Sequence, residues 1–410
     1  MTIPKDRISR KIEENKEINL ELGDSQLIQD LSDTVEVLLD KTQWFKNIRI
    51  QNKNNELERF REYRENGKNY RPNFEFEEYP HKTKQLKQLI EKCRSETEKI
   101  DEKHLKEFGA ETIGPEDMKE FFTEIFREIE LYIKLADEIE SEQKWREISE
   151  KTWPMIEKRI AEESTEYLKN SENTEPKGEV SPERVAEMFR KEIDRLGMDY
   201  KVETRRTAGC FNAPEEKTVV VARGEEGERV YSEDEAKMVT MHEIFHAVRA
   251  YNGFKAGEKS GFPEIIGLHT PFYDRAEEGG ALYREKATET MYTRKEFDYH
   301  LRLVASYEIS ESDNFREEFS SIAEKLIDLG ATEERAFHLL ARNREALRHH
   351  IYLGGYHDWK DIENKEKMLV GKVNEEWADR FWEEAEAGGM IQKPAIGSEK
   401  LFDFTFKDSE

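Results

Sequence analysis

Apolar residues recur at helical spacing along most of this chain. Leu27, Ile28, Leu31, Val35, Leu38 and Leu39 fall on one helical face, and Met118, Phe121, Phe122, Ile125, Ile129, Tyr132, Ile133 and Ala136 form a second, opened by Gly114-Pro115. Both stripes predict faces packed into a core, and neither contains a cofactor-binding pattern. Ser181-Pro182-Glu183 predicts a helix start, with Ser as N-cap and Pro in the first turn, ending near Gly197. Phe315, Phe319, Ile322, Ala323 and Leu326 mark a helix closed by Gly330. Thr332-Glu333-Glu334 caps the next, and Trp377, Phe381, Trp382 and Ala385 mark the last. One run breaks the helical period. Lys217-Thr-Val-Val-Val-Ala-Arg223 is short, continuous and β-branched, which predicts a buried strand at Lys217–Ala222. Ser171 to Gly178 has no periodicity and is rich in turn formers, so it predicts a linker or exposed loop. No internal repeat is found.

The pattern predicts an α+β fold, predominantly α-helical, with one small sheet. Three regions follow: 1–175, helical and packed on the rest through its apolar stripes; 180–300, a core containing the strand; and 301–410, helical again and completing a cleft.

The chemistry concentrates in one helix. Ser232 and Glu235 form a capping-box pattern. Ala236, Val239, His242, Phe245 and His246 follow as one stripe, and Asn252-Gly253 is a stop signal. Inside lies His242-Glu243-Ile244-Phe245-His246, an HExxH sequence. Residues four apart lie on one helix face, so the two imidazoles can point at one metal ion, and Glu243 is placed to take a proton from a metal-activated water. A strand leading into such a helix suits a zincin-like metallopeptidase core, with the sheet beside the HExxH helix. A catalytic zinc needs a third protein ligand. The candidates lie downstream, beyond the Gly- and Pro-rich run from Phe254 to Pro271, in the segment Tyr273 to Glu285 that leads into a helix predicted over Ala281 to Thr293. Glu277 and Glu278 are the foremost, and Glu264 and Glu285 are weaker. A developing oxyanion needs a further donor, for which Tyr283, Tyr352, Tyr356 and His357 are candidates.

The run from His242 to Gly253, with Arg249 and Asn252-Gly253 following the histidines, resembles the motif of the family that includes the microtubule-associated tyrosine carboxypeptidases, whose bacterial members carry a "QEGLA" motif. Ala276-Glu277-Glu278-Gly279-Gly280-Ala281 resembles the family's second element, with Ala276 where Thr is usual and Gly280 where Leu is usual. Gly267 to Tyr273 and the aromatic segment Arg71 to Tyr79 are also similar to family segments. The resemblance covers roughly residues 20 to 375 and is strongest from Val219 to Glu285. It implies a zinc metallopeptidase of the glutamate-zincin type. Glu278 matches the invariant family glutamate, so Zn²⁺ would be held by His242, His246 and Glu278, with Glu243 as general base. The substrate would be a peptide or protein C-terminus. A carboxypeptidase must grip a terminal carboxylate, and arginine does this through its bidentate fork. Arg249 matches the family arginine, and Arg342, with Arg344 and the Arg348 to Lys360 segment that includes Tyr352, resembles a basic region downstream. Arg249, Arg342 and Tyr352 are thus the expected substrate-binding residues.

Composition narrows the partners. The chain has 410 residues, 36% hydrophobic and 38% charged, with a net charge of −25. That charge disfavours nucleic acid, anionic membranes and polyacidic substrates, all of which need a basic surface. No run approaches the ~18 apolar residues of a membrane span. The first residues lack an apolar signal region, and Cys93 and Cys210 have no metal-site spacing, so two reduced thiols and a cytoplasmic location are expected. His349, His350 and His357 are expected at the surface, since adjacent helix residues cannot face one site. The function expected is a zinc-dependent, carboxypeptidase-like peptidase. The alternative is a non-catalytic helical binding protein with a structural or vestigial metal site.

Overall fold

Helices form most of the computed structural model, which describes residues 26–42, 48–77, 83–155, 157–171, 177–225 and 227–403. The linker expected at Ser171–Gly178 falls largely on residues 172–176, and the signal-free N-terminus on residues 1–25; both lie outside the described residues. The chain forms two compact units, each drawn from separated stretches. The first comprises 1–99, 122–173 and 297–354; the second comprises 100–121, 174–296 and 355–410. The N-terminal and C-terminal regions of the sequence therefore contribute to both.

In the first unit the apolar stripes become buried faces. The helix Leu27–Thr42 buries Leu27, Ile28, Leu31, Val35 and Leu38 and packs on the helix Thr83–Thr97. Around Phe60, Tyr70, Phe319 and Phe337 the rings meet mostly edge to face, with Phe60–Tyr70 and Tyr70–Phe319 centroids each 5.4 Å apart. The helices Phe315–Asp328 and Glu333–Glu345 follow the predicted pattern. Asn314 and Thr332 cap them by accepting from Glu317 and Arg335 N–H groups. His350 departs from expectation: it is fully buried, with Nε2 3.1 Å from the Pro154 carbonyl. The carbonyl is a partner for Nε2, one of the two ring nitrogens.

The second unit is built on a three-stranded sheet of β1 (Lys201–Arg205), β2 (Phe211–Ala213) and β3 (Thr218–Ala222) in the order β1-β3-β2. β1 runs parallel to β3, and β2 runs antiparallel to it. β3 is buried along its whole length because strands flank it and helices cover it: Pro182–Leu196 on the one hand and Glu233–Ala256 on the other. It starts one residue later than predicted because Lys217 turns the chain at φ 46°. The helix Pro182–Leu196 has the expected ends, Ser181 Oγ accepting from Arg184 N–H and Gly197 in the left-handed region at φ 73°. Cys93 and Cys210 are both free thiols. No helix among the described residues is long and apolar enough to cross a membrane.

The helix Glu233–Ala256, hereafter the histidine helix, differs from its prediction in two ways. It runs past Asn252-Gly253 to Ala256. Neither residue is a terminator. The Asn252 side chain donates to the Leu369 and Ile396 carbonyls and accepts from the Ile396 N–H, all at 2.8–2.9 Å. Gly253 is small because the chain at Gly267 lies against it: a Cβ there would stand 2.4 Å from the Gly267 backbone. Furthermore, the helix is buried on nearly all sides. Ala236 and Phe245 are core, whereas Val239, His242 and His246 form a half-open stripe.

The helix Asp274–Ala287, the glutamate helix, starts seven residues earlier than predicted and packs on the histidine helix. Two glycines set how close it comes. A Cβ on Gly280 would stand 2.3 Å from the Phe245 ring and 2.6 Å from Trp359, and one on Gly279 would stand 2.1 Å from the Gly355 backbone. Gly279→Ala is expected to destabilise the protein by about 3 kcal/mol, because backbone cannot yield as a side-chain tip can. Gly209→Ala, where a Cβ meets nothing within 4 Å, should change stability by less than about 0.5 kcal/mol. Urea unfolding of both proteins checks this; equal midpoints would remove the close-packing explanation.

Candidate metal centre

Ser232 Oγ caps the histidine helix by accepting from the Glu235 N–H at 3.0 Å, while the Glu235 carboxylate accepts from Arg229 and leaves the predicted box half-closed. Two turns on, the His242 and His246 rings stand 4.8 Å apart at 82° on the half-open face. The glutamate helix crosses in front of them and supplies three carboxylates.

Glu278 faces both rings. Its Oε2 lies 3.5 Å from His242 Nε2 and 3.9 Å from His246 Nε2. One ligand atom from each of the three residues falls within 4.8 Å of the other two, a group that could hold a metal ion. Tetrahedral zinc with ligand atoms at 2.0–2.2 Å places them roughly 3.3–3.6 Å apart, close to the two histidine–glutamate separations of 3.5 and 3.9 Å. The opposite ring nitrogens fit as well. His242 Nδ1 is 2.5 Å from Glu285 Oε1, and His246 Nδ1 is 2.9 Å from Glu277 Oε1. A carboxylate at Nδ1 holds the proton there, fixes the ring and leaves the Nε2 lone pair for an ion.

The competing glutamates of the sequence are thereby sorted. Glu278 converges on both histidines. Glu277 and Glu285 stand behind them, and Glu264 is exposed at the start of a short helix. Glu285 sits seven residues after Glu278 on the same helix face, which is why one helix touches His242 from both sides.

Burial and charge are balanced residue by residue. Burial opposes a proton on His242, but hydrogen bonds to Glu278 and Glu285 and the negative field of Glu285 and Glu243 outweigh it and raise the pKa to about 10. Burial would raise the Glu277 pKa, yet Lys372, Arg249 and His246 hold it down at about 2, so Glu277 is an anion. Burial pushes the Glu243 carboxyl up, with Glu278 and Glu285 adding to the shift and the two histidines opposing it. No hydrogen bond to the Glu243 side chain is made among the described residues.

Arg249 lies where sequence reasoning did not put it. It is fully buried, and Nε donates to the Gly371 carbonyl at 2.8 Å, Nη2 to the Val373 carbonyl at 2.6 Å and Nη1 to Glu277 Oε2 at 2.7 Å. Its fork is engaged inside the protein, behind His246. Arg342 and Tyr352 belong to the first unit, where Arg342 is exposed and Tyr352 stacks near Tyr299 at 5.3 Å. Tyr283 packs with Trp359 and Phe402, and Lys286 stands over the Tyr356 ring.

Several supporting groups escaped the sequence reading. Lys372 Nζ is 3.6 Å from Glu277 Oε1. Arg284 is fully buried and donates to the Met241 carbonyl, just before His242, at 3.1 Å; it also pairs with Glu192, which Arg195 holds from the other side. Glu285 could have been found from its seven-residue spacing to Glu278. Nothing in the local sequence announces the segment Gly371–Val373.

Comparison with protein-family models gives no match for this chain, and no curated protein matches it significantly.

Titration of the purified protein with zinc, followed by elemental analysis, is expected to give one ion per chain. Loss of His242 and His246 together should abolish uptake. Glu285→Gln should weaken it about 10–100-fold through the ring it no longer holds; an unchanged affinity would remove Glu285 from the centre. Arg249→Ala leaves the buried Glu277 anion under-compensated and is expected to cost roughly 3–5 kcal/mol of stability, measured by thermal unfolding. A variant as stable as the parent would show that the Arg249–Glu277 pair is unimportant.

Proposed function

We propose that this protein is a zinc-dependent peptidase. The observation that carries the reading is the convergence of His242 Nε2 and His246 Nε2 on one oxygen of Glu278, at 3.5 and 3.9 Å, with Glu243 beside them on the same helix. When bound, zinc would supply a Lewis acid for a carbonyl and a pKa near 7 for water.

The chain's own residues supply the rest. His242, His246 and Glu278 would hold the ion, and Glu285 and Glu277 keep the two rings in the ligating tautomer. Glu243 is not needed as a ligand. It is mostly buried, carries a raised pKa and has no competing hydrogen bond among the described residues, which suits a carboxylate that takes a proton and returns it to a leaving amine. A structural metal site has no use for such a group. A peptide substrate is supported by β2, one of the two edge strands of the sheet, which packs against the histidine helix. An open strand edge accepts extended backbone through main-chain hydrogen bonds. The likeness of the HExxH and EEGG segments to the tyrosine carboxypeptidase family favours action at a C-terminus. Arg249 is not the group that reads the terminal carboxylate, since its donors are engaged with Glu277, Gly371 and Val373.

Glu243→Gln is expected to bind zinc as the parent does and to lose about 10²–10⁴ of its rate, since an amide cannot accept the proton. Mass spectrometry of a peptide library, with matched free and amidated C-termini, reads both rate and the end that is cut. Undiminished cleavage by Glu243→Gln would overturn the mechanism. Equal cleavage of free and amidated peptides would overturn the carboxypeptidase assignment while leaving the peptidase.

A further inference from the structure

The first unit carries a groove of about 470 Å³ lined by residues 72–76, Glu140, Glu142, Phe315, Arg316 and Arg344. Arg344 is the unusual member. It is only 6% exposed, and its guanidinium lies near the Phe76 and Trp145 rings, 4.9 and 4.7 Å from their centroids. Nη2 donates to the Ile139 carbonyl, but Nη1 is buried and meets no hydrogen-bond acceptor. Burial draws its pKa down to about 10, which still leaves it charged at neutral pH.

The two rings offer cation–π contact but no hydrogen-bond acceptor, so Nη1 leaves an acceptor position to be filled. The protein does not fill that position. Glu142, the carboxylate whose field acts on Arg344, accepts instead from Phe315 N–H and Arg146. A buried, charged donor without an acceptor is costly, and an anion entering from the groove would relieve it. The remaining walls limit which anion fits. Glu75, Glu140 and Glu142 outnumber Arg316 there, which repels a polyanion and favours an ammonium group. Phe74, Phe76 and Phe315 add apolar surface to the lining. The volume falls in the range of small-molecule sites.

We propose that this groove binds a zwitterion of amino-acid or dipeptide size with an apolar side chain, its carboxylate on Arg344 Nη1 and its ammonium group against Glu75 and Glu140.

Isothermal titration calorimetry on the whole protein tests this with phenylalanine, alanyl-phenylalanine, phenylalaninamide, N-acetylphenylalanine and inorganic phosphate. At least one of the two zwitterions is expected to bind saturably at millimolar concentrations, and which one distinguishes a free amino acid from a peptide end. Phenylalaninamide and N-acetylphenylalanine should each bind at least about tenfold more weakly, the loss of one charge-assisted contact. Arg344→Gln should lose binding by a similar factor. Arg344 is buried, so that variant can fail to fold. The double variant Glu75→Gln/Glu140→Gln changes only exposed carboxylates, and it should weaken the zwitterion while leaving N-acetylphenylalanine unaffected. No saturable heat from either zwitterion, equal affinity for acid and amide, binding of phosphate in their place, or indifference of the double variant would each overturn the proposal.

Discussion

The glutamate helix can reach the histidines only because Gly279 and Gly280 let it lie directly against its neighbours. At those positions a single methyl group would collide with the Gly355 backbone and with the Phe245 and Trp359 rings. Close approach then dictates everything that follows. Three carboxylates of one helix are carried into a space shared with two imidazoles, and side chains as short as glutamate can touch both ring nitrogens of His242. With a larger residue at either glycine the helices would separate, and Glu277, Glu278 and Glu285 would lose their grip together. The EEGG sequence thus joins two requirements, ligand-bearing carboxylates and the thinness that positions them.

Bringing so many acids inward creates an electrostatic problem that the rest of the unit resolves. Buried charges persist only when paired and hydrogen-bonded. Glu277 is met by Arg249, Lys372 and His246, and Glu192 by Arg284 and Arg195. Arg249 and Arg284 each also bond a backbone carbonyl, so each ties electrostatic balance to chain position. Arg249 fixes the segment at Gly371 and Val373, and Arg284 fixes the turn of the histidine helix that ends at Met241. The residual negative field falls around His242, where Glu243, Glu278 and Glu285 all raise the affinity for positive charge. The same field that favours a proton on the His242 ring would favour a dication placed among these groups.

Much of this was legible in the sequence, for definable reasons. The helical stripes, the all-buried β3 and the caps at Ser181, Ser232 and Thr332 follow from periodicity and local hydrogen bonding, which short windows of sequence contain. The HExxH spacing placed both histidines on one face for the same reason. Two readings failed where tertiary contacts override local signals. Asn252-Gly253 looks like a helix end, yet Asn252 is held by Leu369 and Ile396 and Gly253 by the approach of Gly267, so the helix continues. Two adjacent histidines suggested surface placement, whereas His350 is buried by its bond to Pro154. The partners responsible lie some 14 to 196 residues away in the chain, beyond any local pattern.

Arg249 illustrates how a correct position can carry the wrong role. Three residues after His246, it was expected to share the histidine face and to offer its fork to a carboxylate. It does bind a carboxylate with that fork, but the carboxylate is Glu277, and the remaining nitrogens hold Gly371 and Val373. Asn252, three residues further, faces the same direction and holds Leu369 and Ile396 in the same manner. Together the arginine and asparagine form a bracket by which one turn of the histidine helix fastens segments more than a hundred residues away in sequence. The R-x-x-N-G run after the histidines is therefore explained by architecture. Its arginine and asparagine donate to carbonyls of distant segments, its glycine admits the neighbouring chain, and the orientation of His246 follows from Glu277, which Lys372 and the same arginine keep ionised.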